Sequence, residues 1–552
     1  MKKVFLALCL TAALVSPGCI KVDNSLGKGL VDKSLLFDTY TAEFPLEQIQ
    51  LKASEALSGY SDTRLTVGAI RDENFGLTTR EAAFNLIPAL DTLDLGTNPQ
   101  AISFTLNFAR DTISCADDNQ ARIFQNIYVT ELTKVLPTSE DDTHNTQDIP
   151  HGTQLITKGL VSYNGEGDLT FNFTKAYAQK YVDALVSMGK VLKDRDGDTD
   201  KYDEFVAKIP GIHLRTDAPD GIGGRINMFD FSCLSVSSNY YVRNNNVGVL
   251  KVRSTWNGVQ KDSTFLVIPG ETELINETEY LTNNTKFYQY CFNRTTQSTT
   301  AGPAQGSIMV EGGGGLKPVI LARELQEKAC AAIEAQGGTL DKAVIVKATI
   351  VLPFEMPDNY EDLKYYPSVL SPTIETYYET ESGVKRPSFA GLTDASVSTE
   401  DQGDIDRSNL VYKPDITYHL QELLTRTDLD TATDADIWLL TIHSEKVANA
   451  SGSLYDNEYY QNLLYASYYN SLYGGYGGYS GYGYGSYGGY GGYGYSNYYN
   501  YMMLAQMMSA STQQTYSYTT ELDKDRYYCA ILNGYNSVRY PLFRITFAIP
   551  QD

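Results

Sequence analysis

The sequence is poor in positive charge. It contains 44 Lys and Arg residues against 67 Asp and Glu residues, which gives a formal net charge of −23. Nucleic acids and anionic lipid headgroups both attract proteins through clustered Lys and Arg side chains. We therefore predict no nucleic-acid partner and no electrostatic docking on a lipid surface.

Long hydrophobic runs are also scarce. The run from Val4 to Val15 is too short to span a bilayer, and no later run is longer. It follows two lysines and precedes small residues, as in a signal peptide covering residues 1–18. The ending "SPGC" resembles a bacterial lipobox, which implies cleavage before Cys19 and acylation of that residue. More than one acyl chain would anchor the protein to a membrane. The alternative is a secreted protein in which Cys19 has no such role.

Recognisable catalytic and metal-binding motifs are absent. The five cysteines after Cys19 show no CxxC spacing, and the five histidines show no HxH or HxxxH spacing. This pattern indicates neither a zinc site nor a disulfide framework. No GxSxG or phosphate-loop motif occurs in the chain. We predict a protein that is not an enzyme and has no cofactor.

One acidic segment, "DRDGDTDKYDEF", requires separate consideration. Its residues Asp194, Asp196, Asp198 and Asp200 alternate as oxygen ligands do in calcium loops. The EF-hand register fails, because Thr199 occupies the position that requires glycine. We favour a solvated loop and keep calcium binding as the weaker alternative.

What the sequence does have is strand periodicity. In "ISFTLNF", the residues Ile102, Phe104, Leu106 and Phe108 alternate with polar residues. This pattern predicts a strand of an antiparallel sheet with those four side chains on the buried face.

The order of elements recurs in the second half of the chain. "AISFTLNFA" corresponds to "AVIVKATIVLPF", and "GIHLRT" corresponds to "DIWLLTIH". Between them, "GDLTFNFTKAYAQKYVDALV" matches "SNLVYKPDITYHLQELL", each a strand followed by a short helix. Thr174 and Asp415 are placed to cap these helices. We predict a mainly β fold of two tandem antiparallel β-sandwich (jelly-roll-like) domains, each with a short helix.

The domain boundaries follow from this repeat. We expect a signal peptide at 1–18, a lipidated linker at 19–38, a first sandwich at 39–258 and a second at 259–552. In the second domain, a Tyr/Gly-rich insertion at about 454–520 takes the place of a turn that is short in the first domain. Such an insertion is tolerated because a longer loop costs little closure entropy.

The Tyr/Gly-rich segment, residues 471–503, is the most unusual part of the sequence. No charged residue occurs between Tyr459 and Thr520. Three interpretations of this segment are open. It is a solvent-exposed loop without a specific role, an adhesive tip that binds a partner, or a surface that inserts at a membrane interface. For the adhesive interpretation, the candidate partner-binding residues are Tyr476, Tyr479, Tyr482, Tyr484, Tyr487 and Tyr490.

Several phrases resemble a family of Bacteroidota lipoproteins catalogued only as a domain of unknown function. They are a Ser-Leu-Gly phrase at 25–27 near the lipidated Cys, a Gly-x-x-x-Asp-x-x-Phe-Gly phrase from Gly68 to Gly76, and the final strand "LFRITFAI". The resemblance implies a lipoprotein of the outer membrane and implies no activity.

These observations favour a lipid-anchored outer-membrane protein that acts by binding. We expect it to be an accessory subunit of an envelope or surface assembly, with an outer-membrane protein as its partner. The cell surface is favoured over the periplasmic face. The alternative is a surface lipoprotein that binds carbohydrate through exposed aromatic residues. Trp256 is a candidate at a turn, whereas Trp438 lies within a predicted strand and is expected to be buried.

Overall fold

The structure is a computed structural model of the full chain. The described residues are 36–53, 57–61, 64–88, 92–110, 115–116, 123–137, 144–192, 199–231, 246–269, 291–297, 299–304, 306–379, 383–392, 394, 403–429, 431–448, 516–522 and 524–551.

In chain order, the described strands are β1 (Phe37–Pro45), β2 (Gln50–Lys52), β3 (Tyr60–Ser61), β4 (Arg64–Asp72), β5 (Gly76–Phe84), β6 (Leu86–Pro88), β7 (Thr97–Phe108), β8 (Cys115–Ala116), β9 (Gln125–Leu132), β10 (His151–Leu155), β11 (Val161–Tyr163), β12 (Leu169–Asn172), β13 (Ile212–Thr216), β14 (Gly223–Asp230), β15 (Gly248–Trp256), β16 (Val259–Pro269), β17 (Cys291–Gln297), β18 (Gly302–Pro303), β19 (Ser307–Glu311), β20 (Lys317–Ile320), β21 (Val344–Pro353), β22 (Val369–Glu379), β23 (Lys385–Gly391), β24 (Ile405–Asp406), β25 (Val411–Tyr412), β26 (Ile437–Ala448), β27 (Tyr516–Leu522), β28 (Cys529–Asn533) and β29 (Leu542–Pro550). The helices of the described residues are α1 (Lys175–Met188), α2 (Tyr202–Lys208), α3 (Ala322–Ala335) and α4 (Thr417–Leu423), with a 3-10 helix at Tyr360–Tyr365.

The mainly β prediction is confirmed. Strands account for 50% of the described residues and helices for 14%. A first hydrophobic core lies between the sheet β10-β9-β13-β5-β4-β14-β8 and the sheet β12-β7-β15-β16-β6, with α1 and α2 packed against it. Both sheets are antiparallel, and their inward side chains interdigitate as in a β-sandwich.

A second hydrophobic core has the same layered construction. It lies between the sheet β1-β29-β21-β25-β24 and the sheet β18-β2-β20-β26-β22-β23, and it includes the short pair β19-β28. Helices α3 and α4 contribute buried apolar side chains to this core.

The two cores share one pairing pattern. In the first, β7 lies between β12 and β15, and β13 lies between β5 and β9. In the second, β21 lies between β25 and β29, and β26 lies between β20 and β22. The strands predicted to correspond between the halves of the sequence therefore occupy equivalent sheet positions.

The division of the chain between the two cores differs from the predicted boundary at residue 258. β16 forms a hairpin with β15, and β17 pairs with β5, so residues up to Gln297 belong to the first core. At the other end, β1 pairs with β29 along nine residues and belongs to the second core. β1 occupies the sheet position that β16 holds in the first core. The number of independently folding domains stays a prediction.

The predicted helices are confirmed, and two more are present. In α1, Tyr177, Tyr181, Leu185 and Met188 are buried, and the Thr174 hydroxyl accepts a hydrogen bond from the Tyr177 amide at 3.2 Å. Helices α2 and α3 were not predicted, so in the described part of the chain each core has two helices instead of one. In α3 the apolar side chains of Leu325, Ala329 and Ile333 are four residues apart and buried, as on the packed face of an amphipathic helix.

The predicted alternation in β7 is correct for three residues and wrong for one. Phe104, Leu106 and Phe108 are buried, but Ile102 is 43% exposed and Ala101 is buried in its place. The register between β7 and β15 shifts between Lys251 and Val252, next to this position. Such an irregularity adds one residue to a strand and reverses the faces of the residues beyond it.

The insertion in the second half extends from a hairpin. β26 pairs with β27 from Ile442↔Leu522 to Ala448↔Tyr516. Residues 449–515, which include the Tyr/Gly-rich segment, therefore connect two paired strand ends and lie outside the described residues. The insertion of this segment into a turn stays a prediction.

Deleting residues 471–503 is expected to leave the fold intact. The strand ends at Ala448 and Tyr516 are already paired, and shortening a loop changes the closure entropy by less than about 1 kcal/mol. The measurement is thermal unfolding followed by circular dichroism, with a transition temperature within a few degrees of the wild-type value. Loss of the cooperative transition would contradict the assignment of this segment as an insertion.

Candidate ligand-binding cleft

A buried polar cluster is located where the two cores meet. The Lys317 Nζ donates hydrogen bonds to the carbonyl oxygens of Glu311, Gly313 and Gly315 at 2.7, 2.9 and 2.9 Å. Three acceptors match the three donors of an ammonium group. The Glu311 carboxylate accepts hydrogen bonds from the Leu316 amide and the Thr299 hydroxyl. Burial lowers the pKa of Lys317 and raises that of Glu311, and the opposite charges of the pair offset part of both effects.

Arg80, on β5 of the first core, packs on this glycine-rich turn. Its side chain is 1% exposed and donates to the carbonyl oxygens of Lys524 and Arg526, both at 3.4 Å. Gly313 has φ +58°, and a Cβ at this position would lie 2.5 Å from Arg80 Nη1. Only glycine allows the turn to approach the guanidinium this closely.

A carboxylate strengthens the same junction. The Asp525 carboxylate accepts hydrogen bonds from the Ser61 hydroxyl at 3.0 Å and from the Asn293 amide at 3.3 Å. Tyr527 then packs against Ile70 and Ile226 of the first core. The segment 524–527 of the second half is thus fixed on the β4-β5-β14 part of the first sheet.

A cleft lies beside this junction of the two cores, and it has two walls. The first wall is the turn between β4 and β5, which contains Asp72 and Phe75 of the Gly68–Gly76 phrase. The Asp72 Oδ1 accepts hydrogen bonds from the amides of Asn74 and Phe75 at 2.7 and 2.9 Å, and Phe75 is buried. This Asx turn gives the Asp72 side chain a structural role in shaping the turn.

The second wall is the 3-10 helix together with the start of β28. The Asn359 side chain caps the helix by accepting a hydrogen bond from the Glu361 amide at 3.2 Å. Tyr365 packs edge-to-face on Tyr527 with ring centroids 5.9 Å apart, and Lys364 Nζ lies 5.0 Å from the Tyr365 ring centroid. Cys529, half-buried, completes this wall.

The space between the walls is a cleft of about 560 Å³. It is lined by tyrosine rings, by the cations Arg71 and Lys364, and by the anions Asp72 and Asp362. This volume is in the range of small-molecule sites, which are usually concave and carry a few polar groups. The described part of the cleft can therefore hold a compact ligand through ring contacts and hydrogen bonds.

A second titratable cluster covers the outer face of the first sheet. The His213 Nε2 lies 3.1 Å from the Glu81 carboxylate, and the His151 ring stacks on His213 with centroids 4.0 Å apart. Arg294 lies 3.6 Å from the same carboxylate. Burial lowers the pKa of His213, although the hydrogen bond to Glu81 opposes this effect. Burial alone would raise the pKa of Glu81, but His213 and Arg294 hold it below its usual value.

The predicted calcium ligands are only partly described. Asp194, Asp196 and Asp198 lie outside the described residues. Asp200 is exposed, and its carboxylate accepts a hydrogen bond from the amide of Tyr202, the first residue of α2. Among the described residues, no group of three or more His, Cys, Asp and Glu side chains is arranged to hold a metal ion. Calcium binding by this segment stays a prediction.

The predicted anchor and partner-binding residues also lie outside the described part of the chain. These residues are Cys19, Tyr476, Tyr479, Tyr482, Tyr484, Tyr487 and Tyr490.

The two tryptophans and the described thiols are located. Trp438 is 5% exposed and packs against Phe389, as expected for a strand residue. Trp256 is half-buried at a turn, and its indole donates to the Ser254 hydroxyl at 2.8 Å. Within the described ranges, Cys291, Cys330 and Cys529 form no disulfide.

Sequence reasoning missed both the cleft and the histidine pair. Their residues come from distant parts of the chain, and only the motif from Gly68 to Gly76 gave a signal for one wall of the cleft. None of the helices in the described ranges is both long and apolar enough to cross a membrane. Comparisons of the chain with protein-family models, curated proteins and solved structures gave no match.

The contact between Gly313 and Arg80 predicts a large loss of stability when a methyl group is added at residue 313. Gly313→Ala adds an unfavourable φ and a clash with a guanidinium that is too deeply buried to move, so we expect a loss of about 3 kcal/mol in unfolding free energy. Gly337→Ala is the matched control, because Gly337 also has positive φ (+78°) but no heavy atom within 4 Å of an added Cβ. It should cost about 1 kcal/mol. Equal losses in chemical denaturation would refute a specific role for the Arg80 contact.

The lowered pKa of His213 predicts that stability falls with acidification. The unfolded chain takes up a proton on this group near the ordinary histidine pKa of 6.5, whereas the folded state resists protonation. The transition temperature should therefore decrease as the pH falls from 7 to 5. His419 is buried and shifted in the same direction, so it contributes part of the slope. His213→Gln should give a flatter profile in scanning calorimetry. An unchanged slope would show that His213 does not titrate differently in the two states.

Proposed function

We propose that this protein is a lipid-anchored outer-membrane protein that acts by binding, as an accessory subunit of an envelope or surface assembly. Acylated Cys19 attaches it to the membrane, and the cell surface is favoured over the periplasmic face. The motifs that resemble the Bacteroidota lipoprotein family support this proposal, and so does the acidic composition, which disfavours nucleic acid.

One observation supports binding to a protein partner above the others. The Tyr/Gly-rich segment lies in sequence between β26 and β27, which pair with each other in the sheet of the second core. Tyrosine offers a large amphipathic contact surface, and glycine allows the backbone to adapt, a combination that also serves antibody loops. The segment has no charged residue between Tyr459 and Thr520, so burying it against a partner would require no desolvation of charged side chains.

The alternative, carbohydrate binding, is favoured by a different feature. The cleft beside the junction of the two cores combines tyrosine rings with hydrogen-bonding side chains. Trp256, which the sequence suggested as a sugar platform, is half-buried and lies outside this cleft.

Affinity purification from mildly solubilised membranes tests the main proposal. The wild-type chain should retain an integral outer-membrane protein in stoichiometric amount, and a variant lacking residues 471–503 should lose it. Replacing Tyr377 and Tyr378 by Ala is the matched control, because these tyrosines are 51% and 38% exposed on another hairpin. Cys19→Ser should move the protein out of the membrane fraction. Equal retention of the partner by the deletion variant would exclude the Tyr/Gly-rich segment as the binding element.

A further inference from the structure

We propose that the cleft between the β4-β5 turn and the 3-10 helix is a binding site for an uncharged oligosaccharide. This inference rests on the binding function proposed above and specifies the site and ligand class of its carbohydrate alternative. It depends on three properties of the described residues: the hydrogen-bonding groups of the first wall, the rings of the second wall and the balance of charge between them.

The first wall presents donors and acceptors side by side. The Arg71 Nε donates to the Pro219 carbonyl oxygen at 3.2 Å, which holds the guanidinium in place. Among the described residues, its two Nη groups have no hydrogen-bond partner. The Asp72 Oδ1 is used by the turn, and Oδ2 has no partner in the same part of the chain. Adjacent hydroxyl groups of a sugar each donate and accept, so they match a fixed donor next to a fixed acceptor.

The second wall presents ring surface. Tyr365 is half-buried and offers part of its ring to the cleft, whereas Tyr527 is only 6% exposed and holds Tyr365 in place through an edge-to-face contact. The apolar C–H face of a sugar ring packs on such an aromatic surface, while its hydroxyl groups reach polar neighbours. Asn359 and Asp362 provide such polar groups at the same wall.

The charged side chains of the cleft balance each other. Arg71 and Lys364 are balanced by Asp72 and Asp362, so neither an anion nor a cation is favoured by the lining residues. The net charge of −23 further disfavours acidic polymers such as those built from uronic acids.

A peptide strand fits the first wall less well. β4 is hydrogen-bonded on one side to β5 and on the other to β14, so its edges are occupied. Recognition of a peptide by strand addition needs an open edge. The wall therefore offers side chains and not backbone groups, as a polyhydroxylated ligand requires.

Two experiments on the full mature chain in detergent test the site. A glycan array identifies ligands, and titration calorimetry then measures their affinity. The array carries neutral oligosaccharides of glucose, galactose and mannose, uronic-acid and sulfated oligosaccharides, and short peptides. We expect binding to at least one neutral oligosaccharide. Asp72→Asn keeps the Oδ1 acceptor that the turn needs and replaces Oδ2 by a donor, so it should fold normally and weaken binding at least 10-fold. Tyr365→Ala should weaken it similarly.

Controls and a second readout distinguish binding in the cleft from binding elsewhere on the protein. Tyr377→Ala, which removes an exposed tyrosine far along β22, should bind like the wild type. Bound oligosaccharide should slow alkylation of Cys529, followed by mass spectrometry of the peptide that contains it, because this thiol lines the cleft. Binding only of acidic glycans or peptides, no binding to the array, or equal loss in Tyr377→Ala would overturn the proposal. Retention of the membrane partner by Asp72→Asn would show that the partner-binding function is independent of the cleft.

Discussion

The arrangement of the two halves depends on one buried contact, between the Arg80 guanidinium and the glycine-rich turn at 312–315. The Lys317 ammonium holds this turn by donating hydrogen bonds to two of its carbonyl oxygens, those of Gly313 and Gly315, and to the carbonyl oxygen of Glu311, which precedes it. Removing one member of such a cluster leaves a buried charge without compensation, which typically costs several kcal/mol. The cleft depends on this contact because Tyr527, in its second wall, directly follows the carbonyl groups that Arg80 holds.

Much of the fold could be predicted because it is determined by local periodicity. The alternation of β7, the apolar stripe of α1 and its Thr174 cap are properties of neighbouring residues, and the structure confirms them apart from Ile102. The irregularity that exposes Ile102 depends on the register with β15, which lies far away in the sequence. The pairings of β17 with β5 and of β1 with β29 were not predicted for the same reason, since nothing in the sequence of either strand indicates its distant partner.

The functional site was predictable only in part. The motif around Asp72 was visible in the sequence, but its role as the wall of a cleft depends on residues from 357 to 366 and from 527 to 531. The stacking of His151 on His213 was also invisible, because neither residue has a histidine at a spacing typical of a shared strand or helix. Sites built between two sheets are encoded by tertiary packing, and a single sequence gives no direct signal for packing across such distances.

The pairing of β1 with β29 has a consequence for the order of folding. Thr41 and Thr546 face each other across this pair although they are 505 residues apart. The strands of the first core lie between residues 60 and 297, so that core can form while the rest of the chain is still being made. The second core cannot be completed until its last strand has been made, and β1 stays without its partner until then. Contacts of such long range form slowly, and an unpaired strand is open to aggregation during that time. A chaperone that recognises extended segments would therefore act first on residues 37–45.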